Sequence, residues 1–289
     1  MLFNKRRLKK SKSIESSRIA ANIMLSKHMP FIVSEAYKSL RTSIEFSMIT
    51  DEQCKILVVT SPSPGEGKSS TSINLAVSFA QLSKRVLIID ADLRLPRVHR
   101  YLNIENSEGL SDYLAKFAGI DKCVRRIEEF NFDCMTSGRI PPNPLELMSS
   151  RMMKEMLEMF AAKYDYIIID TPPINVVSEA VVLSKLATGT LLAVRENYTS
   201  QKDMYRAVDA LKFAEANLIG VVLTVSETAV KQKKRKRGYV KYGYSRYDYS
   251  KYYHDNYYRE YEESDVPEDI KPDAIGEVSD STSWTEADS

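Results

Sequence analysis

Runs of consecutive apolar residues, rather than strict alternation, mark the middle of this chain. Lys55-Ile-Leu-Val-Val-Thr60, Arg85-Val-Leu-Ile-Ile-Asp90, Tyr166-Ile-Ile-Ile-Asp170, Gly189-Thr-Leu-Leu-Ala-Val194 and Ile219-Gly-Val-Val-Leu-Thr-Val225 each read as a strand buried on both faces. Phe132 to Thr136 reads as a weaker strand. Between these runs the period changes. Ile73, Ala76, Val77 and Ala80 recur at i, i+3, i+4 and i+7, one face of a helix. Leu145 to Ala162 predicts a Met-rich helix whose Met152, Met156 and Met159 belong to the core, and a further helix is predicted over Lys202 to Ala216. Buried strands alternating with helices predict an α/β fold, with a mostly parallel central sheet and helices on both faces. The folded unit is expected over residues 30–228, its core from about Pro30 to about Ser226. A basic arm precedes it over 1–29 and a disordered tail follows over 229–289.

The tail changes the picture most. Ten tyrosines fall within the 23 positions 239–261: Tyr239, Tyr242, Tyr244, Tyr247, Tyr249, Tyr252, Tyr253, Tyr257, Tyr258 and Tyr261. Val240 is the one aliphatic residue among them, so the stretch cannot bury enough apolar area to offset the entropy of ordering it. These side chains are there to be reached by something else. Charge is uneven around them. Lys5 to Lys12 and Lys231 to Arg237 are dense in cations, whereas Glu262 to Ser289 holds ten acids and one Lys. Such runs read first as solvated arms and second as contacts to an anionic surface. Three cysteines without metal or redox spacing indicate a reducing compartment. No run approaches the roughly 20 apolar residues of a membrane span, and Ile19 to Leu25 makes a poor signal peptide, so a cytoplasmic protein is expected.

Candidate chemistry sits where strands end. Pro64-Gly65-Glu66-Gly67-Lys68-Ser69-Ser70 lies between a predicted strand and a predicted helix, the setting in which glycines let backbone N–H groups close on a phosphate. Lys68 would reach the β- and γ-phosphates of ATP and Ser69 would ligate Mg²⁺. Asp90 and Asp92 share one face at the carboxyl end of the second strand, and Asp170 ends its own strand before Thr171-Pro172-Pro173. Ligands of open α/β sheets bind at such ends, and Mg²⁺ takes few carboxylates alongside water and phosphate oxygens.

Taken together, the loop, the segment from Val86 to Arg94 and the segment from Tyr164 to Pro173 resemble the Walker A, A′ and B motifs of the bacterial tyrosine kinases of capsule and exopolysaccharide synthesis. Ser137-Gly138, Pro141 to Leu147 and the tyrosine-rich tail extend the match. Glu35, Lys38 and Arg41 resemble the family's oligomerisation motif, with Lys38 where Arg is usual. The resemblance implies an ATP- and Mg²⁺-dependent tyrosine kinase that modifies its own tail, with no nucleic acid as partner. In that reading Lys68 and the loop hold phosphates, and Ser69, Asp90 and Asp170 organise the metal. Asp92 accepts the phenolic proton, and Arg94 either stabilises transferred charge or pairs with an acid. A transmembrane adaptor, a cognate tyrosine phosphatase and a homo-oligomeric ring are implied as well. Ser63 occupies the position of the signature Lys of partitioning and septum-placement ATPases, which separates the chain from those switches. Pro62 stands where the loop pattern usually has Gly, and Thr224 stands where the superfamily often has a base-reading Asn. The alternatives are an ATPase switch without phosphotransfer and a non-catalytic Tyr/Arg-rich interaction module.

Overall fold

The structure, a computed structural model, describes residues 31–49 and 52–224. The tyrosine cluster and both basic runs lie outside the described residues. Helix α1 (Phe31–Ser47) leads into β1 (Lys55–Thr60), α2 (Lys68–Ala80) and β2 (Val86–Asp90). Three short helices follow, α3 (Val98–Tyr101), α4 (Leu110–Leu114) and α5 (Ile120–Cys123), and then β3 (Val124–Ile127) and β4 (Phe132–Met135). The remaining elements are α6 (Pro144–Met148), α7 (Arg151–Ala161), β5 (Tyr166–Asp170), α8 (Glu179–Ser184), β6 (Gly189–Arg195), α9 (Gln201–Phe213) and β7 (Leu218–Thr224). The seven strands order as β3-β4-β2-β5-β1-β6-β7, every pair parallel except β3 with β4.

The unbroken apolar runs are explained by burial on both sides, except in β7, which ends the strand order and leaves Val221 and Leu223 exposed on one face, against the expectation for that run. Leu57 and Val59 face one core with Ile88, Ile168 and Phe79, while Val58 faces another with Leu87, Ile89, Ile167 and Ile169. Alternate side chains of one strand point to opposite faces, so both sets must be apolar. Phe79 of α2 stacks on Tyr166 with centroids 3.9 Å apart, fixing that helix against the sheet. The Met-rich segment packs on the opposite face, with Met153 and Met156 fully buried and Met152 and Met159 partly so.

That segment corrects the predicted single helix over 145–162. The helix stops after Met148 and restarts at Arg151, because the Ser150 hydroxyl accepts a hydrogen bond from the Met153 N–H and caps a new N-terminus. A serine pair inside an otherwise continuous apolar period was the signal. The antiparallel edge strand β3, with Arg125 and Arg126 at its centre, has no apolar run to mark it.

Candidate active site

Parallel pairing brings three strand ends together. Asp90 lies in register with Asp170, and Asp170 with Val59. Backbone bonds then bind the segments leaving the sheet: Ala91 N–H donates to the Asp170 carbonyl, Thr171 N–H to that of Val59, and Ile174 N–H to that of Ser61. The Thr60 hydroxyl donates to the Pro172 carbonyl at 2.9 Å. This lattice holds the phosphate loop rigidly above the carboxyl edge. Within the loop Gly65 and Gly67 have φ of 81° and 87°, left-handed values that glycine adopts without strain. Gly67 is the N-cap of α2 and brings no side chain to it, which leaves the helix's first N–H groups directed at the loop.

Lys68 is the centre of the cluster. Its ammonium is 3.0 Å from Asp92 Oδ2 and 3.8 Å from Asp170 Oδ2, and it lies 3.3 Å from the Ser69 hydroxyl oxygen. Burial works against this charge, but Asp170, Asp92 and Asp90 together outweigh it and hold the Lys68 pKa above its ordinary value. Asp170 Oδ1 accepts a hydrogen bond from the Ser72 hydroxyl at 3.2 Å. Burial raises its pKa, with the Lys68 charge opposing. Asp90 is raised further, by burial first and then by the charges of Asp170 and Asp92.

Asp90 also has a structural task that its spacing did not reveal. One oxygen accepts the Asp92 N–H and the other those of Arg97 and Val98, so its carboxylate shapes the turn carrying Asp92 and Arg94. Arg94 is committed to an acid: its guanidinium meets the buried Glu179 carboxylate at 2.9 Å. Sequence reading missed Glu179, which stands alone on a short helix after an irregular loop. Ser72 could have been found, since it sits one turn after Lys68 on the same helix face.

Glu66 does not face the same way as the lysine two residues on. It is fully buried, its Oε1 accepts from the Thr199 hydroxyl at 2.8 Å, and its Oε2 has no hydrogen-bond partner among the described residues. Burial raises its pKa to about 7. The loop's outer side is bracketed from β6 and β7. The Tyr198 hydroxyl donates to the Pro64 carbonyl, an Arg195 guanidinium N–H to that of Gly65, and the Thr224 hydroxyl to that of Glu66. A methyl at Gly67 would come within 3.3 Å of Thr224, so this residue abuts the loop itself. The Ser70 hydroxyl turns back to the Gly67 carbonyl.

These residues fit a magnesium–nucleoside triphosphate. Asp170 Oδ2 is a buried acceptor without a hydrogen bond, beside the Ser69 hydroxyl, and the glycine-shaped loop presents backbone N–H groups at a helix start. Glu35, Lys38 and Arg41 lie apart on α1. Glu35 and Lys38 pair with each other at 2.7 Å on the exposed side, while Arg41 donates to the Ser78 carbonyl and hydroxyl of α2.

The AAA domain family model matches residues 54–212, more than half of the chain. Tyrosine-protein kinase YwqD of Bacillus subtilis (strain 168) is 42% identical over 207 residues, covering 72% of this chain and 87% of that protein. Tyrosine-protein kinase etk of Escherichia coli (strain K12) is 35% identical over 206 residues, which cover 68% of this chain but 28% of that longer protein. The solved kinase domain of the Escherichia coli enzyme superposes with a TM-score of 0.64 at 33% identity, covering 76% of this chain and 86% of that one. The septum site-determining protein MinD of Pyrococcus horikoshii, solved with Mg-ADP, superposes over 59% of this chain and 70% of its own with a TM-score of 0.51 at 22% identity. That likeness is one of fold alone. With its phosphate loop, its paired strand-end carboxylates and these relatives, the chain belongs to the bacterial tyrosine-protein kinase family, on a P-loop nucleoside triphosphatase fold.

Proposed function

We propose that this kinase transfers the γ-phosphoryl group of ATP to tyrosines of the 239–261 cluster, at the inner face of the plasma membrane, under a transmembrane adaptor of polysaccharide synthesis. The observation that carries the reading is the Lys68 ammonium held between Asp92 and Asp170 at the mouth of the phosphate loop.

Phosphoryl transfer asks a protein mainly for positioning and charge stabilisation. The N–H groups around Gly65 and Gly67, with Lys68, hold the phosphate oxygens; to reach them the ammonium exchanges a carboxylate partner for phosphate. Ser69 and Asp170 are the residues that would hold Mg²⁺, with Asp90 fixing the adjoining turn and contributing through its remaining lone pairs or through water. Bound there, Mg²⁺ neutralises charge on the phosphate oxygens. In this reading Asp92 accepts the phenolic proton as the tyrosine oxygen bonds to phosphorus and ADP departs. A free tyrosine ionises near pH 10, so that acceptor matters at neutral pH. Arg94, tied to Glu179, positions the Asp92 turn rather than meeting the phosphoryl group.

Among the described residues no helix is long and apolar enough to cross a membrane. The cluster acts as an electrostatic switch. Each phosphate adds roughly −1.5 to −2 charges, so ten would add about −15 to −20. That exceeds the six cations of Lys231 to Arg237. A head-to-tail ring built through the exposed Glu35–Lys38 side of α1 would bring one copy's tail to the next copy's site, and a tyrosine phosphatase would reset it. The test is phosphotyrosine mapping by mass spectrometry after incubation with Mg²⁺ and ATP, with and without an adaptor segment. Lys68→Met and Asp170→Asn abolish the signal on this account. Undiminished phosphotyrosine in either variant sinks the site assignment, and hydrolysis of ATP without tail phosphate favours the switch reading.

A further inference from the structure

On the β4 side of the carboxylates the same edge of the sheet carries a second surface. Ile89 pairs with Met135, so residues 136–140 leave the sheet beside Asp90 and Asp92. Leu93, next to Asp92, shares a core cluster with Leu110 and Leu114 of α4. Out of this unit project Phe117, 71% exposed, and Ile140, 56% exposed. The Arg139 guanidinium lies 5.0 Å from the centre of the Phe117 ring. Only its Nε is anchored, to Asp112 at 2.6 Å, and its terminal nitrogens make no hydrogen bond among the described residues.

Single exposed apolar side chains are ordinary. What distinguishes these is how rigidly they are mounted. A methyl on Gly109 would fall 2.3 Å from the Gly138 nitrogen and the Thr136 carbonyl oxygen, so the two segments touch backbone to backbone. The buried Asp112 carboxylate accepts from the Gly109 and Arg139 N–H groups as well as from Arg139 Nε. The Asn106 side chain accepts the Ser137 hydroxyl and Gly138 N–H and donates to the Gly138 carbonyl. A frame this tightly bonded holds a ring, a cation and an aliphatic tip at fixed positions on the β4 side of the proposed proton acceptor.

We propose that Phe117, Arg139 and Ile140 are the docking surface for the acceptor segment, residues 239–261 of a second copy of this chain. The proposal rests on the kinase reading above and names how its substrate is held. The chemistry of the segment matches the surface. Tyr247-Asp248-Tyr249 and Glu260-Tyr261 set a ring beside an acid, as the surface sets a ring and an aliphatic tip beside the unbonded terminal nitrogens of a guanidinium. The geometry of supply matches as well. β7 runs parallel to β6 and ends at Thr224, so in every copy the chain sets out toward this segment from the carboxyl edge. Rings stacked on Phe117 and Ile140, with a carboxylate on Arg139, hold a neighbouring tyrosine near Asp92.

The test uses the full chain, a peptide of residues 244–252 as acceptor in trans, and the same peptide with Asp248→Asn. Phe117→Ala and Ile140→Ala are expected to raise the KM for the peptide about three- to tenfold, the range of one lost ring contact, with kcat at saturating peptide and the KM for ATP held within about twofold. Arg139→Gln is expected to erase the preference for the Asp248 peptide over its Asn form. Both residues truncated to Ala are well exposed, so the fold tolerates their loss, and unchanged melting temperatures confirm it. Variants with wild-type peptide KM, or a fall in kcat alone, overturn the docking surface and leave the kinase standing. A wild-type chain that modifies neither peptide nor tail overturns both.

Discussion

The buried carboxyl of Glu66 offers the sharpest quantitative test of the site's construction. It stands at pKa about 7 against an ordinary value of 4.5, chiefly because burial disfavours the charged form. The Thr199 hydroxyl and the Ser63 N–H oppose the rise, Asp203 adds to it, and Arg195 opposes it. A raised folded-state value means that the native protein holds a proton which the unfolded chain has released. Stability attributable to this group is therefore full below pH ~4.5, falls as pH rises, and levels off above pH ~7 once both states are ionised. At 1.36 kcal/mol per pH unit the full penalty is about 3 kcal/mol, and most of it develops between pH 5 and pH 8. Glu66→Gln keeps the size and the Thr199 contact but cannot ionise. Urea unfolding of wild type and Glu66→Gln at pH 5, 6, 7 and 8 isolates the effect, because every other titrating group is common to both. The stability of the Gln variant relative to wild type should rise by about 2 to 3 kcal/mol across that range, most of it below pH 7. A difference that stays constant with pH refutes the reasoning and makes Glu66 a solvated carboxylate.

Other outcomes follow from particular contacts. Arg94→Ala leaves the buried Glu179 carboxylate unpaired and should lower stability by about 3 kcal/mol, with Glu179→Gln in the same chain restoring much of it; if thermal melts show no loss, the pair is not structural. Gly67→Ala forces a left-handed φ on an L residue and presses a methyl toward Thr224, so nucleotide binding by calorimetry should be lost. Glu35→Ala with Lys38→Ala should lower the mass of any oligomer seen by light scattering without shifting the melting temperature, whereas Arg41→Ala should also loosen α1 from α2; an oligomer mass unmoved by the double variant removes α1 from the interface. Ending the chain at residue 228 should change the melting temperature by no more than about 1 °C, since the tyrosine-rich and charged sequence beyond that point offers little aliphatic area for a core; a large fall would show that the tail docks on the domain.

Legibility followed physics element by element. Strands buried on two faces announce themselves, and β1 and β5 lie at the residues their apolar runs mark. The site was legible where chemistry demands a residue type at a strand end: Lys68, Asp92 and Asp170 converge as their positions implied. What stayed hidden is side-chain partnership across long separations. Nothing local says that Glu179 anchors Arg94 from 85 residues away, or that Thr199 and Thr224 bracket Glu66 from 133 and 158 away. The Ser150 cap was visible as a residue type but hidden inside an apolar period. Edge strand β3 was hidden because half-exposed arginines can sit on an edge without any hydrophobic signature.

Intact-mass spectrometry of the full chain after incubation with Mg²⁺ and ATP tests the central claim most directly. The account predicts a ladder of added phosphoryl groups on wild type, absent from Lys68→Met and absent when the tyrosines of 239–261 are replaced by phenylalanine. A ladder that persists in either variant contradicts it.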